Sequence, residues 1–259
     1  MPFSSFRQLI VLLSYVVMIV ANAMATLLPI NGQTTAEVSA KYTTFFTPAG
    51  YVFSIWGLIY ILLGGFVLYQ GLGSQKDNQR ISRAAIILTL ANIVNTVWIF
   101  AWHFELFEIS LLLMVSLLFL LIAMYQALHV GEQNLDTTRL EKLFVYSPVS
   151  VYVGWISVAT VANASVLLSV YEWSGFGISQ ESWAAIMIGV VTILTFIVLV
   201  VKSDWVYATV IVWAFWGLRN AFSEISIISI TATVASVLIV ILSFIAAQSR
   251  QRVTPSVSS

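Results

Sequence analysis

The sequence predicts an all-α polytopic membrane protein, a bundle of about eight transmembrane helices. Three observations carry that expectation. Of 259 residues, 60% are hydrophobic and only 8% are charged, against about 25% charged in ordinary soluble domains. The apolar residues fall into runs of about 20, the length a helix needs to cross the hydrocarbon core. The charged residues all lie outside the centres of those runs. Runs this apolar satisfy their backbone in lipid only as helices.

The runs lie at about 7–29, 49–71, 83–103, 107–130, 143–171, 182–201, 204–220 and 224–247. The first is longer than the roughly 7–15-residue core of a signal peptide. It is therefore read as a mature helix, although Ala21-Asn22-Ala23 resembles a cleavage site. The seventh run is short, which leaves a count of seven as the alternative. Charge supports eight. With the N-terminus inside, the inner segments hold Arg7, Lys76, Arg80, Arg83, Arg139, Lys142, Lys202, Arg250 and Arg252, and the outer segments only Lys41 and Arg219. That asymmetry follows the positive-inside rule, and it puts both termini in the cytoplasm.

Two segments fall outside the spans. Pro29 to Thr47 reads as a polar outer loop with an Asn31-Gly32 turn. Residues from Gln248 to Ser259 read as a disordered cytoplasmic tail. Gly64-Gly65 and the Ala21/Ala25 face permit close helix contact, within one chain or in a homodimer.

Composition excludes several chemistries. There is no cysteine, hence no disulfide and no thiolate site. No basic run points to nucleic acid. His103 and His129 fall at opposite faces, so they cannot ligate one haem together, and no metal site is assigned. His103 with Glu105 and Glu108 reads as a solvated turn, and Arg219 with Glu224 as an ion pair in the outer turn. No carboxylate, lysine or arginine sits mid-span, where such groups mark proton relays and ion pathways. No catalytic residue is assigned, so the chain reads as a binding protein rather than an enzyme.

What the spans do carry is aromatic. Residues three or four apart share a helix face. The second span aligns Phe53, Trp56, Tyr60 and Gly64; the third Asn92, Asn95, Trp98 and Trp102; the fifth Tyr152, Trp155, Ala159 and Asn163. A weaker stripe of Tyr15, Met18, Asn22 and Thr26 lies on the first. Span direction brings the three strong sets to overlapping depth beneath the Pro29–Thr47 loop, a candidate lid. Two readings compete for them. Asn, Gly and Thr are common helix-packing residues in membranes, and Trp near span ends (Trp102, Trp173, Trp183, Trp205) anchors helices at the interface. Trp56, Trp98 and Trp155 lie deeper and suit the wall of a flat apolar ligand.

These residues resemble the TspO/translocator-protein family, the tryptophan-rich sensory proteins. Pro48-Ala49, Tyr51-Val52-Phe53, Trp56 and Tyr60 are similar to that family's second-helix motif, Asn95-Thr96-Val97-Trp98 to its third, and Tyr152, Trp155, Ala159 and Asn163 to its fifth. Ala49 and Val151 stand where the family has prolines. The resemblance covers about 1–171 as a five-helix unit, leaving 172–247 as three additional helices. It implies a sensory or receptor protein of the bacterial cell membrane that binds a flat hydrophobic small molecule, a tetrapyrrole such as a porphyrin or haem. No cofactor is required. The binding set would be Phe53, Trp56, Tyr60, Asn95, Trp98, Tyr152, Trp155, Ala159 and Asn163, with indoles stacking on the macrocycle and Tyr60, Asn95 and Asn163 supplying hydrogen bonds. Light-dependent porphyrin degradation is a further family association. The alternatives are a small-solute transporter completed by the last three helices, and a structural membrane protein without ligand.

Overall fold

Eight long helices dominate a computed structural model that describes residues 5–28, 30–42, 44–132 and 137–253, with side chains to Gln248. They are α1 (Phe6–Leu27), α3 (Ile55–Gly71), α4 (Gln79–His103), α5 (Phe107–Ala127), α7 (Ser147–Val170), α8 (Gln180–Lys202), α9 (Trp205–Ala221) and α10 (Ser226–Val253). Two short helices, α2 (Thr35–Lys41) and α6 (Arg139–Glu141), fill connections, and no strand occurs among the described residues. Among the described residues, seven segments are long and apolar enough to cross a membrane. Helix α9 is the exception: its 17 residues span only about 26 Å at about 1.5 Å per residue, short of a hydrocarbon core of about 30 Å. The structure thus has the eight helices expected, with the seventh below full spanning length.

Local chemistry sets the helix starts. Ser5 and Gln8 form a reciprocal capping box at α1, as do Thr34 and Glu37 at α2. Asn78, Ser179 and Asp204 cap α4, α8 and α9. A 3-10 turn, Gly50–Ser54, leads into α3, and a π turn, Lys142–Tyr146, joins α6 to α7. At their other ends α4, α5 and α7 close through left-handed residues that are not glycine: Glu105 (φ 57°), His129 (φ 56°) and Glu172 (φ 49°). At α4 the Leu106 N–H reaches the Ala101 carbonyl at 2.9 Å and the Glu105 N–H that of Trp102 at 3.1 Å, the paired bonds of a Schellman stop.

Packing runs around a closed ring of five: α1 against α3, α3 against α7, α7 against α5, α5 against α4, and α4 back against α1. Helix α9 lies outside the ring against α7 and the 50–54 turn, and α10 covers both α8 and α9. Amides clasp two of the ring's seams. Asn22 Nδ2 donates to Asn95 Oδ1 at 2.8 Å and Asn92 Nδ2 to Ser14 Oγ at 3.1 Å between α1 and α4; Asn163 Nδ2 donates to Ser110 Oγ at 2.8 Å between α7 and α5. The small residues are also spent inside the chain. Gly64 faces the Tyr15 hydroxyl, Gly65 faces the Phe144 ring, and Ala21 and Ala25 are buried.

Several expectations are corrected. The Pro29–Thr47 stretch contains helix α2 rather than loop alone. Helix α10 continues to Val253, past the point where the disordered tail was expected; the last six residues lie outside the described residues, as do the side chains of Arg250 and Arg252. Arg219 lies over the Trp216 ring, 4.8 Å from its centroid, and reaches Asn220 rather than Glu224. The His103, Glu105 and Glu108 group is dispersed: His103 Nδ1 donates to the Ile99 carbonyl at 2.7 Å, Glu108 accepts from the Tyr171 hydroxyl, and Glu105 serves the lid. No cluster of metal-ligating side chains exists among the described residues.

Candidate functional site

The ring's interior is an aromatic stack assembled from α3, α4 and α7. Trp56 lies at its centre. Its ring stacks on Tyr60 at 5.7 Å and on Trp98 at 5.7 Å, and meets Tyr152 and Trp155 edge-on at 6.1 and 6.0 Å. Trp98 stacks in turn on Trp102 at 6.1 Å, and Phe53 meets Trp155 edge-on at 5.9 Å. Such offset and edge contacts each add about 0.5–1.5 kcal/mol beyond area burial. Six of the nine expected residues are buried (Trp56, Asn95, Trp98, Tyr152, Trp155 and Asn163), and Phe53, Tyr60 and Ala159 are half-buried.

The helices therefore bring the nine residues together, in two layers. Phe53, Trp56, Trp98, Trp155, Ala159 and Asn163 border a small cavity. Tyr60, Asn95 and Tyr152 lie beside them, against Trp56 or against α1. The cavity holds about 30 Å³, whereas small-molecule sites run to roughly 300–1,000 Å³. In this state the aromatic faces are satisfied by one another. The interior nevertheless retains unmet polar atoms. Nε1 of Trp98, Nε1 of Trp155 and Oδ1 of Asn163 are buried without a hydrogen-bond partner, at a cost of about 1–3 kcal/mol for each group left so. Of the three residues expected to hydrogen-bond a ligand, only Asn163 borders the cavity; the Asn95 carbonyl is already held by Asn22.

One carboxylate gathers three of the bonds that hold the candidate lid. Glu105 accepts from Lys41 at 2.5 Å, from the Tyr42 hydroxyl at 2.6 Å and from Gln33 at 3.2 Å. The Lys41 and Tyr42 bonds hold its carboxyl at about 2, well below the usual value. Asn31 donates to the His103 carbonyl at 3.0 Å, and Trp102 Nε1 to the Thr35 carbonyl at 3.2 Å. Trp102 is thus 4% exposed and is a cavity wall and lid anchor, not the interfacial anchor its place near a span end suggested. Thr35, Ser39 and Pro48 complete the cavity's lid side, and Met114, Val158 and Ala162 its flank. The Thr34-x-x-Glu37 spacing was the one signal that could have placed the first two on a helix.

A closed five-helix ring around an indole core, embedded in eight apolar helices, defines a polytopic membrane protein of the tryptophan-rich type. A family model described as TSPO-like protein matches residues 8–245, and the chain belongs to that family. The match extends through α8 and α9 and well into α10, beyond the five-helix unit to which the sequence motifs were confined. No curated protein and no solved structure matches the chain.

Proposed function

We propose that this chain is a membrane receptor for a flat hydrophobic ligand, a tetrapyrrole being the class favoured, bound within the five-helix ring beneath the lid. The observation carrying this reading is the conjunction of Trp98 Nε1, Trp155 Nε1 and Asn163 Oδ1, buried and unpartnered, with the Trp56-centred stack around one cavity. Unpartnered buried atoms also occur away from the cavity, at Arg7, Gln70 and Asn92, so what supports the reading is that those of Trp98, Trp155 and Asn163 gather around one space beside the aromatic stack. Aromatic faces now stacked on each other present the same apolar surface that a macrocycle would cover. The cavity of about 30 Å³ requires that a macrocycle enter by parting Trp56 from Trp98 and Trp155 and lifting α2. The basic-residue asymmetry favours cytoplasmic termini, and the family resemblance favours a bacterial cell membrane.

Titration of the protein with protoporphyrin, haem and biliverdin tests the reading by tryptophan quenching and by the ligand's own absorption. Saturable quenching by at least one of them is expected, and it should weaken by an order of magnitude or more when Trp56→Leu and Trp155→Leu are combined. Unchanged affinity in that double variant rejects the site. No ligand-dependent shift in melting temperature across the three compounds supports a purely structural protein instead.

A further inference from the structure

A second cavity lies outside the ring. The lid-side half of α7 and the start of α8 stand apart and enclose about 530 Å³, within the roughly 300–1,000 Å³ range of small-molecule sites. Small residues face it from both walls, Ala164 and Ser165 on α7 and Ala184 on α8. Phe45 and Phe46 of the lid segment close one side.

The cover is a built element. Trp183 Nε1 donates to the Gly175 carbonyl at 2.8 Å, and Trp173 packs on Trp183 at 5.3 Å and on Phe176 at 5.4 Å. Gly175 permits this approach. It adopts φ +63°, and a Cβ there would stand 3.0 Å from the Trp183 indole nitrogen. Bulky residues are thus drawn over the end of the gap, while Ala164, Ser165 and Ala184 leave room between walls that also carry Val161, Leu168 and Met187.

The lining defines what fits. It contains no charged residue, so nothing neutralises a phosphate or a carboxylate. Hydroxyls are plentiful: Thr160, Ser165 and Ser169 along α7, with Ser174 and Ser179 under the cover. Those of Thr160 and Ser165 donate to the Ile156 and Val161 carbonyls and keep lone pairs to accept from a guest. Trp173 and Trp183 are inclined at 49°, so they form no parallel slot for a planar ring. Leu168 and Ile178, 40% and 41% exposed, border the cavity and join it to the lipid-facing surface.

We propose that the α7–α8 cavity binds an uncharged glycerolipid of the diacylglycerol type drawn from the lid-side leaflet. Its acyl portion lies between the small-residue walls, and its hydroxyl-bearing end lies under the Trp173–Trp183 cover. The absence of lining charge selects it over the phospholipids around it, because an ionised head buried there has no partner.

Full-length protein in phosphatidylcholine nanodiscs, doped with a photoreactive diacylglycerol, tests this. A phosphatidylcholine carrying the same photoreactive chain serves as the comparison arm. After irradiation, labelled peptides are mapped by mass spectrometry. The diacylglycerol probe is expected to label 160–187 about tenfold more than the phospholipid probe, a difference of about 1.4 kcal/mol in affinity. Ala164→Phe and Ala184→Phe, filling the cavity from opposite walls, are each expected to remove that excess. Equal labelling by the two probes overturns the proposal. So does labelling spread evenly over the lipid-facing sides of α8 and α10, or an excess that survives either substitution in folded protein. Should both variants fail to fold, as judged by size-exclusion elution and circular dichroism, the comparison of the two probes on the unmodified chain decides alone. No tetrapyrrole enters the measurement, so its failure leaves the ring-site reading standing.

Discussion

Trp56 and Trp98 stack at 5.7 Å with their planes 29° apart, and this contact joins α3 to α4 across the middle of the ring. Trp98 also stacks on Trp102, so one indole links the centre of the cluster to its lid side. Trp98→Ala removes both contacts from a side chain only 4% exposed. Loss of about 3–5 kcal/mol is expected, measured as reduced thermal stability in detergent. A loss under about 1 kcal/mol would show that the surrounding rings collapse into the space.

Acid should release the lid late. The Glu105 carboxyl is held at about 2, first by the Lys41 bond and then by the Tyr42 bond, below its ordinary value of 4.5. The lower folded value means the contribution to lid closure is fully present above that ordinary value. It is lost as pH falls from there through about 2. A carboxyl titration of Glu105 by nuclear magnetic resonance should find its midpoint near the lower figure. Glu105→Gln should raise hydrogen exchange in residues 35–41 at neutral pH while exchange in α5 stays as it was. Unaltered exchange in the lid would show that Trp102 and Asn31 suffice to hold it.

Gly217 is the point of closest approach between α9 and the chain before α3, where Trp213 also donates to the Val52 carbonyl. A Cβ there would lie 2.1 Å from Val52 Cγ2 and 3.2 Å from Pro48 Cβ, and the Gly217 carbonyl accepts from the Ala49 N–H at 3.2 Å. Val52 is β-branched and fully buried, so it yields poorly. Gly217→Ala is expected to cost about 1–3 kcal/mol, while Gly57→Ala, which meets nothing within 4 Å, should leave stability unchanged or slightly improved. Comparable melting temperatures for the two variants would refute the distinction.

Asp204 is a buried side chain held by three neutral donors. It accepts from the Ser150 hydroxyl at 2.6 Å, from the Tyr125 hydroxyl at 2.9 Å and from the Tyr207 N–H at 3.0 Å, so it caps α9 and ties it to α5 and α7. Asp204→Ala should cost at least about 2 kcal/mol, combining a lost cap with the unmet Ser150 hydroxyl. In a double-mutant cycle with Ser150→Ala, coupling of about 0.5 kcal/mol or more is expected; additive effects would mean that the two side chains act separately.

The sequence made the long helices legible because lipid demands long apolar runs, and it made the convergence of Trp56, Trp98 and Trp155 legible because helical spacing and span direction fix face and depth. Other features depended on contacts distant along the chain. Trp102 looked interfacial until Thr35 was seen to accept its indole proton. Helix ends at Glu105 and Glu172 carry no glycine to mark the left-handed residue. The volume inside the ring depends on how closely the indoles approach one another, which spacing along a helix does not encode. The α7–α8 cavity arises from two helices failing to pack, and no residue pattern announces that.

The ring's seams are unequal. Between α1 and α4 the amides of Asn22, Asn92 and Asn95 fasten neighbouring staves, and Asn163 fastens α7 to α5. Among the described residues no side-chain hydrogen bond crosses from α3 to α7; the Phe53–Trp155 and Trp56–Trp155 ring contacts do. Opening a clasped seam strands amides in hydrocarbon, where water cannot replace the lost partner. Parting α3 from α7 strands no side-chain hydrogen bond between them, although α9 lies beside that seam against α7 and the 50–54 turn. That seam thus depends on the fit of its rings rather than on buried hydrogen bonds, and α9 braces its lid-side end, where the Trp213 indole donates to the Val52 carbonyl.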